Sequence, residues 1–210
     1  MEAQTYWNEV GSQKDFEDPL YLEKIKPYIH HHSKIVEYGC GYGRLLQFLK
    51  SEGYTNLYGF DFAPKMIERG KSAHPDLNLT CIKESGKVPL EDEACDLVIL
   101  STILCCTVAK EEQTKIVKEM QRILKPGGVL YLSDFMITDH PRYTDKYKKG
   151  FEDFQERGIY TTSEGIAVRH HTTQWIMKLL ENFSIQWFEQ FDFKTMNQNF
   201  ARTCHCVAQK

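Results

Sequence analysis

A glycine-rich turn set between two short apolar runs constrains this chain most. Residues 34–61 read KIVEYGCGYGRLLQFLKSEGYTNLYGFD. Ile35-Val36 ends at Glu37, and Gly39-Cys40-Gly41-Tyr42-Gly43 follows. Leu45, Leu46, Phe48 and Leu49 then fall on one face of a helix, and a second apolar run, Leu57 to Phe60, ends at Asp61. Strand, tight turn, helix and strand with an acidic tip make a βαβ unit, which binds a nucleoside-bearing ligand at the carboxyl ends of its strands. Glycines let the backbone approach that ligand closely. Asp61 stands 22 residues after Gly39, where a ribose-binding carboxylate is expected.

The dinucleotide fingerprint G-x-G-x-x-G needs its third glycine at position 44, where this chain has Arg44. A bulky Arg argues against close helix–sheet packing over a pyrophosphate, and so against a nicotinamide oxidoreductase.

Strand and helix patterns alternate downstream. Leu22, Ile25, Tyr28 and Ile29 recur at helical spacing and predict a helix over 19–31. Pro64 opens a helix carrying Met66 and Ile67, which His74-Pro75 ends. Leu77 to Ile82 reads as a third strand and Asp96 to Ser101 as a fourth, nearly all apolar as in a parallel strand buried on both faces. Ile116, Val117, Met120, Ile123 and Leu124 mark an amphipathic helix stopped by Lys125-Pro126-Gly127-Gly128, and Val129 to Leu132 is a fifth strand. The periodicity is then lost from 136 to 171. Thr172 or Thr173 caps a helix bearing Trp175, Ile176, Leu179, Leu180 and Phe183. Ile185 to Phe193 and Ala201 to Ala208 read as two strands joined by the polar loop 194–199. The alternation predicts a single α/β domain over 1–210, a doubly wound, mostly parallel sheet.

These pieces, in this order, resemble the class I S-adenosylmethionine (SAM)-dependent methyltransferases. Glu37 to Gly43 resembles their first motif, Asp61 their ribose acid, Cys95-Asp96-Leu97-Val98 their fourth strand and Leu124-Lys125-Pro126-Gly127-Gly128 the close before strand five. The resemblance implies a seven-stranded sheet ending in an antiparallel hairpin, a lid insertion over 136–171 after strand five, and an N-terminal helical flap over 1–32. It implies SAM as cofactor and S-adenosylhomocysteine as product. The cofactor residues it points to are Tyr6, Trp7, Glu37, Tyr38, Gly39, Cys40, Gly41, Gly43, Arg44, Asp61, Phe62, Met66, Glu84, Ser85 and Ser101. Glu37 would hold the cofactor's amino group, Asp61 both ribose hydroxyls, and Glu84 the adenine amine with Ser85 nearby.

Several of these residues have plainer readings. Tyr6-Trp7 is a flap or a hydrophobic staple; Asp61 is a ribose acid or a helix N-cap; Phe62 and Met66 flank adenine or belong to the core. In the lid, Tyr143, Tyr147, Phe151 and Tyr160 can wall an aromatic or apolar acceptor, and Lys146, Lys148 and Lys149 look like an exposed helix face; after strand four, a thiol of Cys105-Cys106 can face the methionine arm. Arg169-His170-His171 precedes a helix and follows the lid. Arg169 can clamp a carboxylate or phosphate. His170 or His171 can take a proton from the nucleophile, since histidine titrates near neutrality. The alternative is a solvated strand end.

Composition narrows the partners. Twenty-six Lys and Arg against 29 Asp and Glu leave a net charge of −3, which does not suggest bulk nucleic-acid binding. No run approaches the ~18 apolar residues of a membrane span, and the polar N-terminus lacks a signal-peptide core. Seven cysteines, an odd number with Cys40 in the ligand turn, fit reduced thiols in the cytoplasm. His30-His31-His32 and Cys204-His205-Cys206 lack the convergence a metal site needs, so no metal is expected. The expectation is methyl transfer to an O, N, S or C nucleophile of a small-molecule acceptor, with no nucleic acid and no membrane, by a monomer or homodimer. A SAM-binding regulator without chemistry of its own is the alternative.

Overall fold

The apolar runs become strands of one sheet. The computed structural model describes residues 1–195 and 198–210, so 196 and 197 of the expected polar loop lie outside the described residues. In chain order the strands are β1 (Ile35–Tyr38), β2 (Leu57–Asp61), β3 (Asn78–Cys81), β4 (Cys95–Ser101), β5 (Leu124–Phe135), β6 (Ile159–Thr161), β7 (Ala167–Arg169), β8 (Ser184–Lys194) and β9 (Phe200–Gln209). Seven form a sheet of order β3-β2-β1-β4-β5-β9-β8, and β6-β7 is a separate hairpin. β1 to β5 pair in parallel, while β9 is antiparallel to both β5 and β8. The chain moves outward from β1 to β2 and later returns to lay β4 on β1's other side. That reversal leaves a crevice at the carboxyl ends of β1 and β4.

Both faces of the sheet are covered. Along β4, Val98 and Leu100 pack with residues of the helices on one side, and Leu97 and Ile99 with those on the other; all four are fully buried. Alternation likewise sends Cys204 and Cys206 into the first layer, while His205 faces the second and meets the Tyr131 hydroxyl at 2.8 Å.

The helices are α1 (Ala3–Glu9), α2 (Leu22–Ile25), α3 (Arg44–Ser51), α4 (Pro64–Ala73), α5 (Lys110–Ile123), α6 (Pro141–Phe154) and α7 (Thr173–Leu179). The helix expected over 19–31 is shorter. α2 ends at Ile25 and gives way to a 3-10 turn at Lys26–Tyr28, because Pro27 carries no N–H to continue an α-helical ladder. β5 pairs with β4 from Leu124, but its register jumps from Cys95–Leu124 to Leu97–Val129. Residues 125–128 bulge out there, with Gly127 at φ +77°. Thr172 caps α7, its side chain accepting from the Trp175 N–H at 3.2 Å.

The lid segment has a core of its own. α6 lies on β6 so closely that a Cβ on Gly150 would stand 1.8 Å from the Ile159 carbonyl oxygen. Tyr143, Tyr147 and Tyr160 pack together beneath it. The segment leaves and rejoins the sheet at a narrow neck: the His171 N–H donates to the Phe135 carbonyl and the Ile137 N–H to the His171 carbonyl, both at 2.8 Å.

Candidate functional site

The turn after β1 opens into a cavity of about 330 Å³ at the crevice between β1 and β4. Glu37, Tyr38, Gly39, Cys40, Gly41, Arg44, Asp61, Phe62, Met66, Ser85, Ser101 and Trp7 of the expected cofactor set line it. Gly39 and Gly41 adopt left-handed backbone, φ +73° and +54°. A Cβ on Gly39 would stand 2.0 Å from the Ile103 side chain, so any other residue would have to displace Ile103 and adopt a strained backbone.

The two carboxylates behave differently. Asp61 spends one oxygen on each side of the turn: Oδ2 accepts from the Gly41 N–H and Oδ1 from the Ala63 N–H, both at 2.8 Å. It therefore ties β2 to the turn and supports the start of α4 at once. Each oxygen keeps a second lone pair for a hydroxyl. Burial raises its pKa, and the Ala63, Gly41 and Phe62 N–H groups work against that rise. Glu37 is buried with Oε2 unpartnered among the described residues. Burial pushes its carboxyl up to about 8 against the pull of Arg44. A buried carboxylate oxygen without a donor is costly, and an ammonium group reaching the cavity would satisfy it. These features fit SAM: an acid for its amino group, an acid for its ribose and a glycine turn between them.

A second cavity, of about 180 Å³, opens beneath the lid and shares Trp7, Phe16, Asp18, Thr102 and Cys106 with the first. Thr102 directly follows β4 at φ +54°, a backbone region that side chains avoid, and its N–H donates to the Ser133 carbonyl at 2.7 Å. Phe135, Tyr143, Tyr160, His170 and Cys105 line the lid cavity, with Arg142 and Lys146 of α6. His170 stands between two tyrosines: Nδ1 lies 2.6 Å from the Tyr147 hydroxyl and Nε2 3.2 Å from that of Tyr160. Burial, with His171 and Lys146 nearby, lowers its pKa to about 3. His170 is thus neutral at pH 7, with both nitrogens engaged.

Six expected site residues are placed elsewhere. Gly43 lies outside both cavities; its left-handed backbone caps α3, where a Cβ would stand 3.0 Å from Leu77. Glu84 is exposed and outside the cofactor cavity, because the loop after β3 turns its side chain to solvent. Tyr6 lines the lid cavity rather than the cofactor cavity, its hydroxyl donating to Glu164. Tyr147 lies behind the lid cavity, committed to His170. Arg169 is buried as a structural clamp: its guanidinium donates to both Glu156 oxygens at 2.7 and 2.8 Å and to the Val108 carbonyl at 2.7 Å. That spends the donors a substrate would need. His171 is buried outside both cavities, its Nε2 3.6 Å from Asp134 Oδ1.

Other lining residues carry weak sequence signals. Asp18 borders both cavities, and burial raises its pKa despite Arg44. It sits in an aperiodic segment. Arg142 and Lys146 are one helical turn apart on α6, a spacing that places them on one face. Lys146 is not on an exposed face as expected: it is half-buried, its ammonium 5.5 and 5.1 Å from the Tyr143 and Tyr160 ring centres.

Among the described residues no three His, Cys, Asp or Glu groups gather to hold a metal ion, and no helix is long and apolar enough to cross a membrane.

Comparison with known proteins agrees with this fold. A family model described as a methyltransferase domain matches residues 36–132. O-methyltransferase 3 of Dictyostelium discoideum is 25% identical over 188 residues, 84% of this chain and 40% of that protein. The tRNA N(3)-cytidine methyltransferase METTL2 of Danio rerio is 30% identical over 139 residues, 60% of this chain and 38% of that protein. The chain therefore spans less than half the length of these curated relatives. A SAM-dependent methyltransferase of Methanosarcina mazei shares the fold with a TM-score of 0.84 at 24% identity, over 92% of this chain and 99% of the other. The expectation of a small-molecule acceptor without nucleic acid is overturned, because relatives of this chain include enzymes named for tRNA. That expectation rested on the little length to spare beyond the cofactor-binding pattern and on a net charge of −3, a sum over the whole surface that says little about the cations around one cavity.

Proposed function

We propose that this chain, which belongs to the class I SAM-dependent methyltransferases, transfers a methyl group from SAM to an O, N, S or C nucleophile on an acceptor whose reacting part enters the lid cavity. The observation that carries the reading is the shared wall. The cavity holding Glu37 and Asp61 and the cavity under the lid meet at Thr102 and Cys106, so a donor in one and an acceptor in the other face each other. SAM supplies an activated methyl on a sulfonium centre.

The chain's own residues then orient and desolvate the reactants. Glu37 accepts from the amino group, and Asp61 accepts from the ribose. Phe135, Tyr143 and Tyr160 exclude water around the acceptor. His170, neutral and held at both nitrogens, positions the Tyr160 hydroxyl rather than storing a proton. The lid cavity, about 180 Å³, admits a ring-sized group. The relatives named for tRNA support a base presented by a nucleic acid as that group, extruded from its stack as base-modifying enzymes require.

Transfer of tritium from methyl-labelled SAM tests this reading. The expected result is label in deproteinised tRNA, with S-adenosylhomocysteine formed in equal amount. SAM binding without label transfer to tRNA would reject the nucleic-acid acceptor. Absence of SAM binding would reject the whole reading.

A further inference from the structure

We infer that Arg142 and Lys146 form an anion subsite, so that the acceptor carries a carboxylate or phosphate that docks on α6 while its nucleophile points toward Thr102 and Cys106. The inference rests on the lid cavity being the acceptor site and adds the charge class of what enters it.

Two cations line one wall of this cavity, four residues apart on one helix face. Among the described residues, no carboxylate stands within 4.0 Å of either. Asp139 and Asp192, which flank the lid, pair instead with Arg157 and Arg202. Lys146 is half-buried between the Tyr143 and Tyr160 rings and lies beside Arg142. Burial and that second cation both pull its pKa down. Ring faces attract an ammonium but do not neutralise it. A half-buried ammonium beside a second cation is relieved by an anion that bridges the two.

Glu164, which also lines the cavity, is committed to Lys14 and the Tyr6 hydroxyl, and Arg44 donates to the Asp18 backbone carbonyl at 2.6 Å. Among the described lining residues, the Arg and Lys side chains without an ion-pair partner are Arg142 and Lys146 of α6. Thr195 and Asn199 on the rim add a hydroxyl and an amide, which suit oxygen-rich anions. A planar guanidinium beside a point-charge ammonium matches a carboxylate or phosphate.

The test uses the whole chain loaded with S-adenosylhomocysteine, with binding read by calorimetry. One arm compares para-hydroxybenzoate and phenyl phosphate with neutral para-hydroxybenzyl alcohol. The other compares cytidine monophosphate with cytidine. The expected result is at least about tenfold tighter binding of the anionic member in one arm, and that arm identifies the source of the anion. The Arg142→Gln, Lys146→Gln double variant should lose this preference with S-adenosylhomocysteine affinity unchanged, and Lys146→Arg should keep it. Equal binding of anionic and neutral probes, failure of all the anions to bind, or an unchanged preference in the double variant would overturn the inference. Failure of S-adenosylhomocysteine to bind the parent chain would reject the methyltransferase reading instead.

Discussion

Asp61 Oδ2 accepts the Gly41 N–H at 2.8 Å, so the acid at the tip of β2 holds the turn that follows β1. The residue that would read the ribose also fixes the backbone that approaches the cofactor. Asp61→Ala should therefore weaken S-adenosylhomocysteine binding by about tenfold or more, since hydrogen bonds to a charged group contribute roughly 1.5–3 kcal/mol. It should also lower Tm, because the Gly41 and Ala63 N–H groups lose their acceptor. Calorimetry and thermal melts read both; unchanged affinity in a folded variant would leave Asp61 a purely structural brace.

Glu37 should make cofactor binding pH-dependent. Burial raises its carboxyl to about 8, so it is mostly protonated at pH 7 in the free protein. An ammonium partner stabilises the charged form, so binding should release a proton below pH 8 and none well above it. A folded-state pKa above the ordinary 4.5 means the group's contribution to stability is full below that value and is lost as pH rises through 8. Glu37→Gln should abolish the proton release and flatten this loss. Calorimetry in buffers of differing ionisation enthalpy measures the release; equal release at pH 6 and 9 would contradict the assignment.

His170 should not appear as a base in the activity profile. Its pKa, near 3, lies below the ordinary 6.5, so it supports the fold above 6.5 and loses that support as pH falls toward 3. The pH dependence of kcat/KM should carry no limb near 6.5 that His170→Gln removes. Tyr147→Phe should destabilise the lid by about 1–3 kcal/mol, by leaving buried Nδ1 without its partner. A limb near 6.5 abolished by His170→Gln would make it the general base.

Arg169 should matter for stability and not for binding. Arg169→Ala should cost about 1–3 kcal/mol, less than a fully buried pair because Glu156 is a third exposed. Glu156 is held at about 2 by Arg169 and Lys110. The pair's support is therefore present above the ordinary 4.5 and lost as pH falls through 2. Melts against pH and S-adenosylhomocysteine titration test this; a stable variant with selectively weakened acceptor binding would restore the substrate clamp.

The N-terminal helix should be latched to the lid. Glu164, in the β6–β7 loop, accepts from Tyr6 of α1 and from Lys14. Glu164→Gln removes the charge that holds both, so amide exchange should accelerate together across 1–18 and 159–169 and not in the sheet. Unchanged exchange in both segments would show that α1 and the lid move independently.

The centre of the sheet was legible in the sequence because β2 and β4 are short, largely apolar runs ending in a polar residue, Asp61 and Ser101, and the turn because its glycines adopt left-handed backbone. Gly39, Gly41, Asp61 and Glu37 follow from that logic. Pro27 was equally visible and should have shortened the helix expected over 19–31. The lid was the opaque part. Its core is tyrosine, as at Tyr143, Tyr147 and Tyr160, whose hydroxyls face His170 and the Phe200 carbonyl; aromatic residues among charges give no clean apolar period. Arg169 and His171 looked exposed and reactive because their partners, Glu156 and Asp134, lie 13 and 37 residues away. Spacing shows a residue's neighbours on its own element and not its partners across the fold.

Calorimetric titration with SAM, S-adenosylhomocysteine and NADH separates an adenosyl-sulfonium site from a nicotinamide site. One-to-one binding of SAM and S-adenosylhomocysteine and none of NADH is expected, with Asp61→Ala weakening the first two. Tight NADH binding, or no binding of either adenosyl ligand to the folded chain, would contradict that expectation.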